Sequence, residues 1–121
     1  MFSLSESNKF CMYNKGVDMR KGINGLSGEV SRCGRTAHDG NVYVFANESR
    51  TIMKLLHWER GGFVVYQKRF EAGRVSKTVF KGSGVAGFSP LRWDEVVLLV
   101  EGMNPNQRRR KRYNIFDGKG V

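Results

Sequence analysis

Residues 53–70 carry apolar side chains in two extended runs, separated by a turn at Glu59-Arg60-Gly61-Gly62. Successive side chains of an extended chain point to opposite sides. If Trp58 faces Phe63 across that turn, one surface of the hairpin carries Ile52, Leu56, Trp58, Phe63 and Val65. The other carries Met53, Leu55, His57, Val64, Tyr66 and Phe70. Both surfaces are too apolar to be left in water, so the hairpin is either covered on both sides or offers one side to a partner.

The same reading places the other elements. Residues 9–14 alternate as a short strand, broken at Gly16. Asp18 is placed to cap a helix whose apolar positions Met19, Ile23, Leu26 and Val30 fall at steps of four, three and four. Gly22, Gly25 and Gly28 lie in that helix and weaken it by roughly 3 kcal/mol relative to alanine. Their spacing predicts a backbone pressed closely on a neighbouring sheet or partner. Gly34 ends the helix, and residues 41–45 form a second strand followed by a turn at Asn47-Glu48-Ser49. In residues 71–88, Val75, Val79 and Phe80 suit a short edge strand, whereas Gly82, Gly84 and Gly87 suit a loop. Ser89-Pro90 predicts a helix start, with Ser as the N-cap and Pro at the first helical position. That helix runs to Glu101 with Trp93, Val96, Val97 and Val100 inward, and Gly102 stops it.

The resulting order is strand-helix-strand-strand-strand-(strand)-helix. Short connections between consecutive strands imply an α+β fold, a mainly antiparallel sheet of three to five strands packed with two helices. A length of 121 residues allows one real core. The expected organisation is a single compact domain over residues 1–103 and a basic tail over 104–121.

Charge changes the picture most. The chain has 21 Lys and Arg against 11 Asp and Glu, a formal charge of +10. Half of that excess lies in residues 104–121 and half in the domain before them. Such a field favours polyanions, with nucleic acid first and anionic lipid or an acidic protein behind it. Cys11 and Cys33 show neither CxxC spacing nor a His at ligand distance, so they read as free thiols in a reducing cytosol, with no metal and no cofactor implied. The N-terminus lacks a signal pattern and no window approaches a membrane span, which predicts a cytoplasmic protein without membrane association.

Catalytic chemistry finds little support. The carboxylates are scattered among turns and helix ends, and His38 and His57 have no nucleophile partner in reach of sequence reasoning. Residues 81–87 are glycine-rich but lack the Gly-Lys-Ser/Thr helix start of a phosphate loop. Arg60-Gly61-Gly62-Phe63-Val64-Val65-Tyr66 shares part of the aromatic strand motif of RNA-recognition domains but is one residue short, and the element order differs. The run Arg108-Arg109-Arg110-Lys111-Arg112 is an arm suited to gripping phosphates without sequence choice.

Several of these residues form a wider pattern. Asp18-Met19-Arg20-Lys21-Gly22 leading to Gly25-Leu26, then Val42-Tyr43-Val44-Phe45, then Lys54-Leu55-Leu56-His57-Trp58, with Gly62-Phe63, Tyr66-Gln67-Lys68-Arg69-Phe70-Glu71 and Leu98-Leu99-Val100-Glu101-Gly102-Met103, follow in order over roughly residues 8–103. In order, spacing and type they resemble the small accessory protein, TnpB type or second-open-reading-frame protein, of the insertion-sequence sixty-six transposon family. Arg60-Gly61 stands where relatives often place Gly earlier, and Gln67 where many have Tyr. The resemblance implies a protein encoded beside a separate DDE transposase and needed with it for efficient transposition. It implies no catalysis and supplies no established site residues.

The site expectations therefore rest on charge and exposure. Nucleic-acid contacts are expected from Arg20, Lys21, Lys54, Arg60, Lys68, Arg69, Arg74, Arg92, Arg108, Arg109, Arg110, Lys111 and Arg112, and protein contacts from Trp58 and Phe63. The leading expectation is a non-catalytic accessory factor whose partners are the DNA of the transposon ends and the transposase of the same element. A protein–protein adaptor for that transposase, without specific DNA binding, is the alternative, followed by an RNA-binding module. Oligomeric state stays open. An exposed Lys54 and Lys68 would favour DNA contact, and an exposed Trp58 or Phe63 the adaptor.

Overall fold

A computed structural model describes residues 4–76, 79–80 and 87–102. The elements are β1 (Phe10–Tyr13), α1 (Ile23–Arg32), β2 (Val42–Ala46), β3 (Ile52–Glu59), β4 (Gly62–Arg69), β5 (Phe88–Leu91) and α2 (Trp93–Val100), with a 3-10 turn at Ala37–Asp39. The five strands form one mixed, mostly antiparallel sheet in the order β4-β3-β2-β1-β5. Only β1 and β2 run parallel, and α1 is the crossover that a parallel pair requires. The α+β expectation holds.

Register follows from the turn. Glu59 pairs with Gly62 and Trp58 with Phe63, leaving Arg60-Gly61 as a two-residue loop. Both loop residues have positive φ, 51° and 81°, the backbone that matches the twist of a tight hairpin. The two hairpin faces are therefore those read from the sequence, and each belongs to a separate core. One core joins Phe10, Met12, Val42, Val44, Met53 and Leu55 to Val96 and Leu99 of α2, and takes Phe70, Val75 and Val79 from the chain that follows β4. The other joins Tyr13, Tyr43, Phe45, Leu56 and Phe88 to Leu26 and Val30 of α1. Ile23 is the one large hydrophobic residue exposed among the described residues. β3 is covered on both sides, whereas β4, at the sheet edge, is half-buried to exposed along its length.

Three local expectations are corrected. Ser89-Pro90 is not a helix start but the middle of β5, with Pro90 opposite Cys11 and Ser89 opposite Met12. An edge strand has no second neighbour to demand the missing proline N–H. The fourth antiparallel strand thus lies at Phe88–Leu91, and neither Val75, Val79 nor Phe80 is in a strand. Asp18 does not cap α1: its carboxylate accepts from the N–H and side chain of Arg20, and α1 begins beyond Gly22. Gly22 and Gly28 face open space rather than a neighbouring sheet, while Gly25 lets the stem of Lys21 cross the helix, its absent Cβ lying 3.0 Å from that side chain.

The start of α2 is set by its acids. Glu95 accepts from the Arg92 N–H at 2.8 Å, and Asp94 and Glu95 place negative charge in the first turn. At its other end, Lys68 donates to the Val100 carbonyl at 2.6 Å, and Gly102 takes the left-handed φ of 80°.

Candidate nucleic-acid interface

The formal +10 is unevenly divided. The described residues hold 13 Lys and Arg against 10 Asp and Glu, a surplus of only three. The rest of the excess belongs to Lys77, Lys81 and the segment 103–121, so Arg108, Arg109, Arg110, Lys111 and Arg112 lie outside the described residues. Over residues 1–103 as a whole the surplus is five.

The cations expected to bind nucleic acid separate into three kinds. Lys54 is the clear departure: it is 8% exposed, and its ammonium donates to the backbone carbonyls of Met19 and Lys21 at 2.8 and 2.9 Å. A buried ammonium needs such acceptors, and this one ties β3 to the segment leading into α1. It is a structural cross-link, unavailable to a phosphate. A second kind is exposed but partnered within the chain. Arg20 pairs with Asp18 at 2.6 Å, and Arg92 with Asp94 at 3.1 Å. Arg20 holds the Asp18 carboxyl down to about 2, chiefly through its side-chain hydrogen bond. Lys21 lies 3.5 Å from Glu29, and Lys68, besides its bond to Val100, sits 5.0 Å from the Phe70 ring centre. The third kind, Arg60, Arg69 and Arg74, is exposed and forms no ion pair among the described residues. Arg60 and Arg69 stand at opposite ends of β4.

Trp58 and Phe63 meet ring to ring at 4.9 Å, and His38 packs on both at 4.5 and 4.9 Å. The rings are half-buried, held by the 3-10 turn against the end of the hairpin. Phe63 and Tyr66 face opposite sides of β4 and enter different cores, so they form no common stacking platform for RNA bases.

Sequence reasoning missed a polar group on the α1 side. Glu29 is 6% exposed and accepts from the Tyr13 hydroxyl at 2.9 Å. Burial and this carboxylate together push the Tyr13 hydroxyl up to about 12. Lys21 and Arg32 approach the other Glu29 oxygen, and Tyr13, Lys15, Gly16, Lys21, Glu29 and Arg32 line an open polar cleft of about 250 Å³. The signal was present in the sequence, since Glu29 stands between the inward positions Leu26 and Val30 of the helix. A companion group joins Tyr43, whose hydroxyl donates to Asp39 at 2.5 Å, with Arg35, whose guanidinium lies 3.5 Å from Cys11 Sγ and 5.9 Å from the Phe88 ring centre. Burial raises both the Tyr43 hydroxyl and the Cys11 thiol above their ordinary values. On the opposite side of the sheet, an apolar groove of about 120 Å³ runs between α2 and β3.

Among the described residues no three His, Cys, Asp or Glu side chains gather as a metal site, and no helix is long and apolar enough to cross a membrane. Comparison with known families then decides the identity. Residues 8–110 match the family described as IS66 Orf2 like protein. The chain belongs to that family. This places it among the accessory proteins of IS66-type insertion sequences, a transposition-associated group. Neither a curated protein sequence nor a solved structure matches it significantly. The matched span covers both cores and reaches Arg108-Arg109-Arg110, so the IS66 Orf2-like assignment takes in the start of the basic run as well as the sheet.

Proposed function

We propose that this chain is a non-catalytic accessory factor that assists a separate transposase by holding the DNA of the element ends, with residues 104–121 as its principal electrostatic arm. The supporting observation is the division of charge: residues 104–121 carry a surplus of five, equal to that of the whole of residues 1–103. Affinity from such an arm comes from neutralised phosphates and displaced counterions, and it carries no sequence choice. The body then has a different task, presenting a rigid surface to the transposase and setting where the arm begins.

A gel-shift titration over a range of salt tests this reading. The full chain binds a fragment carrying the terminal repeat, and replacing Arg108, Arg109, Arg110, Lys111 and Arg112 by Gln flattens the log–log salt dependence by roughly 4–5. Binding that is insensitive to salt and to those five changes would reject the DNA arm.

The adaptor reading draws on a separate observation, the half-exposed cluster of His38, Trp58 and Phe63. Aromatic residues of this kind serve as interface anchors. Co-purification with the transposase from nuclease-treated lysate separates the two readings. Retention of the complex there, with loss on Trp58→Ala, would favour the adaptor, and dissociation by nuclease would favour DNA contact.

A further inference from the structure

We propose that the cleft between residues 14–22 and α1 seats one phosphodiester of the DNA backbone, which rests on the DNA-contact reading and gives it a second, structured point of attachment. Glu29 organises the site. One carboxylate oxygen is satisfied by the Tyr13 hydroxyl at 2.9 Å, and the other is shared between Lys21 Nζ at 3.5 Å and Arg32 Nη2 at 3.4 Å. Charge-assisted hydrogen bonds run to about 2.7–2.9 Å. Both cations are thus oriented by the carboxylate while their donors remain available. Their side chains are 34% and 68% exposed, whereas that of Glu29 is 8% exposed. Lys15, on the same cleft, is exposed and forms no ion pair among the described residues.

The local charge balance favours an anion. Lys15, Lys21 and Arg32 face the cleft, and the Lys54 ammonium lies behind it, bonded to the Met19 and Lys21 carbonyls. Against these four stand Glu29 and Glu48, the latter 2.6 Å from where a Cβ on Gly16 would lie. Asp18 also lines the cleft, and its charge is matched by Arg20 just outside the lining. The surplus of two exceeds the single charge of a phosphodiester. A guanidinium fork beside two ammonium groups suits a tetrahedral oxyanion with several acceptors. Size is no obstacle, since about 250 Å³ far exceeds the roughly 10–15 Å³ that one water occupies. Tyr13 is the one aromatic lining residue, and its hydroxyl is committed to Glu29, so the cleft holds backbone rather than reading bases.

The test uses the full chain and two probes, inorganic phosphate and a short DNA duplex, followed by backbone amide NMR and by salt-dependent binding. Phosphate shifts the resonances of residues 15–21 and 29–32, and Lys15→Ala with Arg32→Ala weakens it at least tenfold, whereas Arg69→Ala with Arg74→Ala does not. The first pair also flattens the duplex salt slope by roughly 1. Glu29→Gln keeps an acceptor for Tyr13, frees Lys21 and Arg32, and tightens phosphate binding. Absence of phosphate shifts in these segments, with duplex binding intact, overturns the cleft and leaves the DNA arm standing. Phosphate binding there without any duplex binding overturns the DNA assignment of the cleft and the function reading together. Equal phosphate affinity in the Lys15/Arg32 double variant and the parent overturns the proposal outright.

Discussion

Between the sheet and α2 the chain packs Phe10, Met12, Met53, Leu55, Val96 and Leu99, and on that face of β3 the polar side chains are His57 and Glu59, 3.6 Å apart at the strand's end. Between the sheet and α1 it seats Lys54 and Glu29 beside Tyr13, Tyr43, Phe45 and Leu26. The two layers share strands and differ in what specifies them. The α2 layer is defined mainly by volume, so it tolerates apolar side chains of the right size. The α1 layer is defined by pairing, because each buried polar group there is costly once its partner is removed. That difference also explains where a ligand site arises: paired charges at the rim of the α1 layer leave donors pointing outward, and an apolar layer leaves none.

The largest effect is expected in the apolar layer. Leu99→Ala should destabilise by about 2–5 kcal/mol and Leu99→Met by less than about 1.5, measured by urea denaturation. A loss as great for Met as for Ala would mean that volume alone does not govern that layer. Next comes Lys54→Ala. It leaves the Met19 and Lys21 carbonyls without their donor and should cost about 2–6 kcal/mol at roughly 1–3 per orphaned group. The salt slope of DNA binding should not change, and a fall in that slope with undiminished stability would return Lys54 to the nucleic-acid interface.

Smaller is Tyr13→Phe, at about 1–2 kcal/mol for the lost hydrogen bond to a carboxylate. It carries a sharper signature at high pH. The folded chain keeps the Tyr13 proton up to about 12, whereas an unfolded one releases it near 10. The folded state therefore binds more protons across that interval, and stability falls as pH rises from 10 to 12. In Tyr13→Phe this part of the alkaline slope should disappear, and an unchanged slope would count against the buried Tyr13–Glu29 bond. The smallest effect belongs to Asp18. Its carboxyl is held at about 2 against an ordinary 3.8, so the linked stability is present above pH 3.8 and lost as pH falls toward 2. Asp18→Asn should remove that acid-side slope and lower stability at neutral pH by the same amount, which is small because the pair is exposed to solvent. A carbon NMR titration of Asp18 with a midpoint near 3.8 would rule the pairing out.

Legibility in the sequence followed the range of the deciding interaction. The hairpin register was readable because Arg60-Gly61 sets which residues oppose one another within four positions. The strand at Phe88–Leu91 was not, since Ser-Pro has the same local signature at a helix start and on a sheet edge, and only the pairing with β1 chooses. Asp18 looked like a cap, yet Arg20 two residues away competes for its carboxylate. Lys54 looked like a surface cation because a lone Lys between apolar neighbours alternates outward in an isolated hairpin. The carbonyls that bury it come from more than 30 residues earlier in the chain.

What the amino-acid sequence determined alone is the family, the α+β order, the two apolar faces of the hairpin and the concentration of cations in residues 104–121. All of these depend on periodicity, composition and neighbours close along the chain. Only the tertiary structure decided which cations are free: Lys54 is a cross-link, Arg20 and Arg92 have local partners, and Lys15, Lys21 and Arg32 converge on one cleft around Glu29. A side chain's charge is written in the sequence, but its availability depends on which distant carboxylates and carbonyls folding brings within reach.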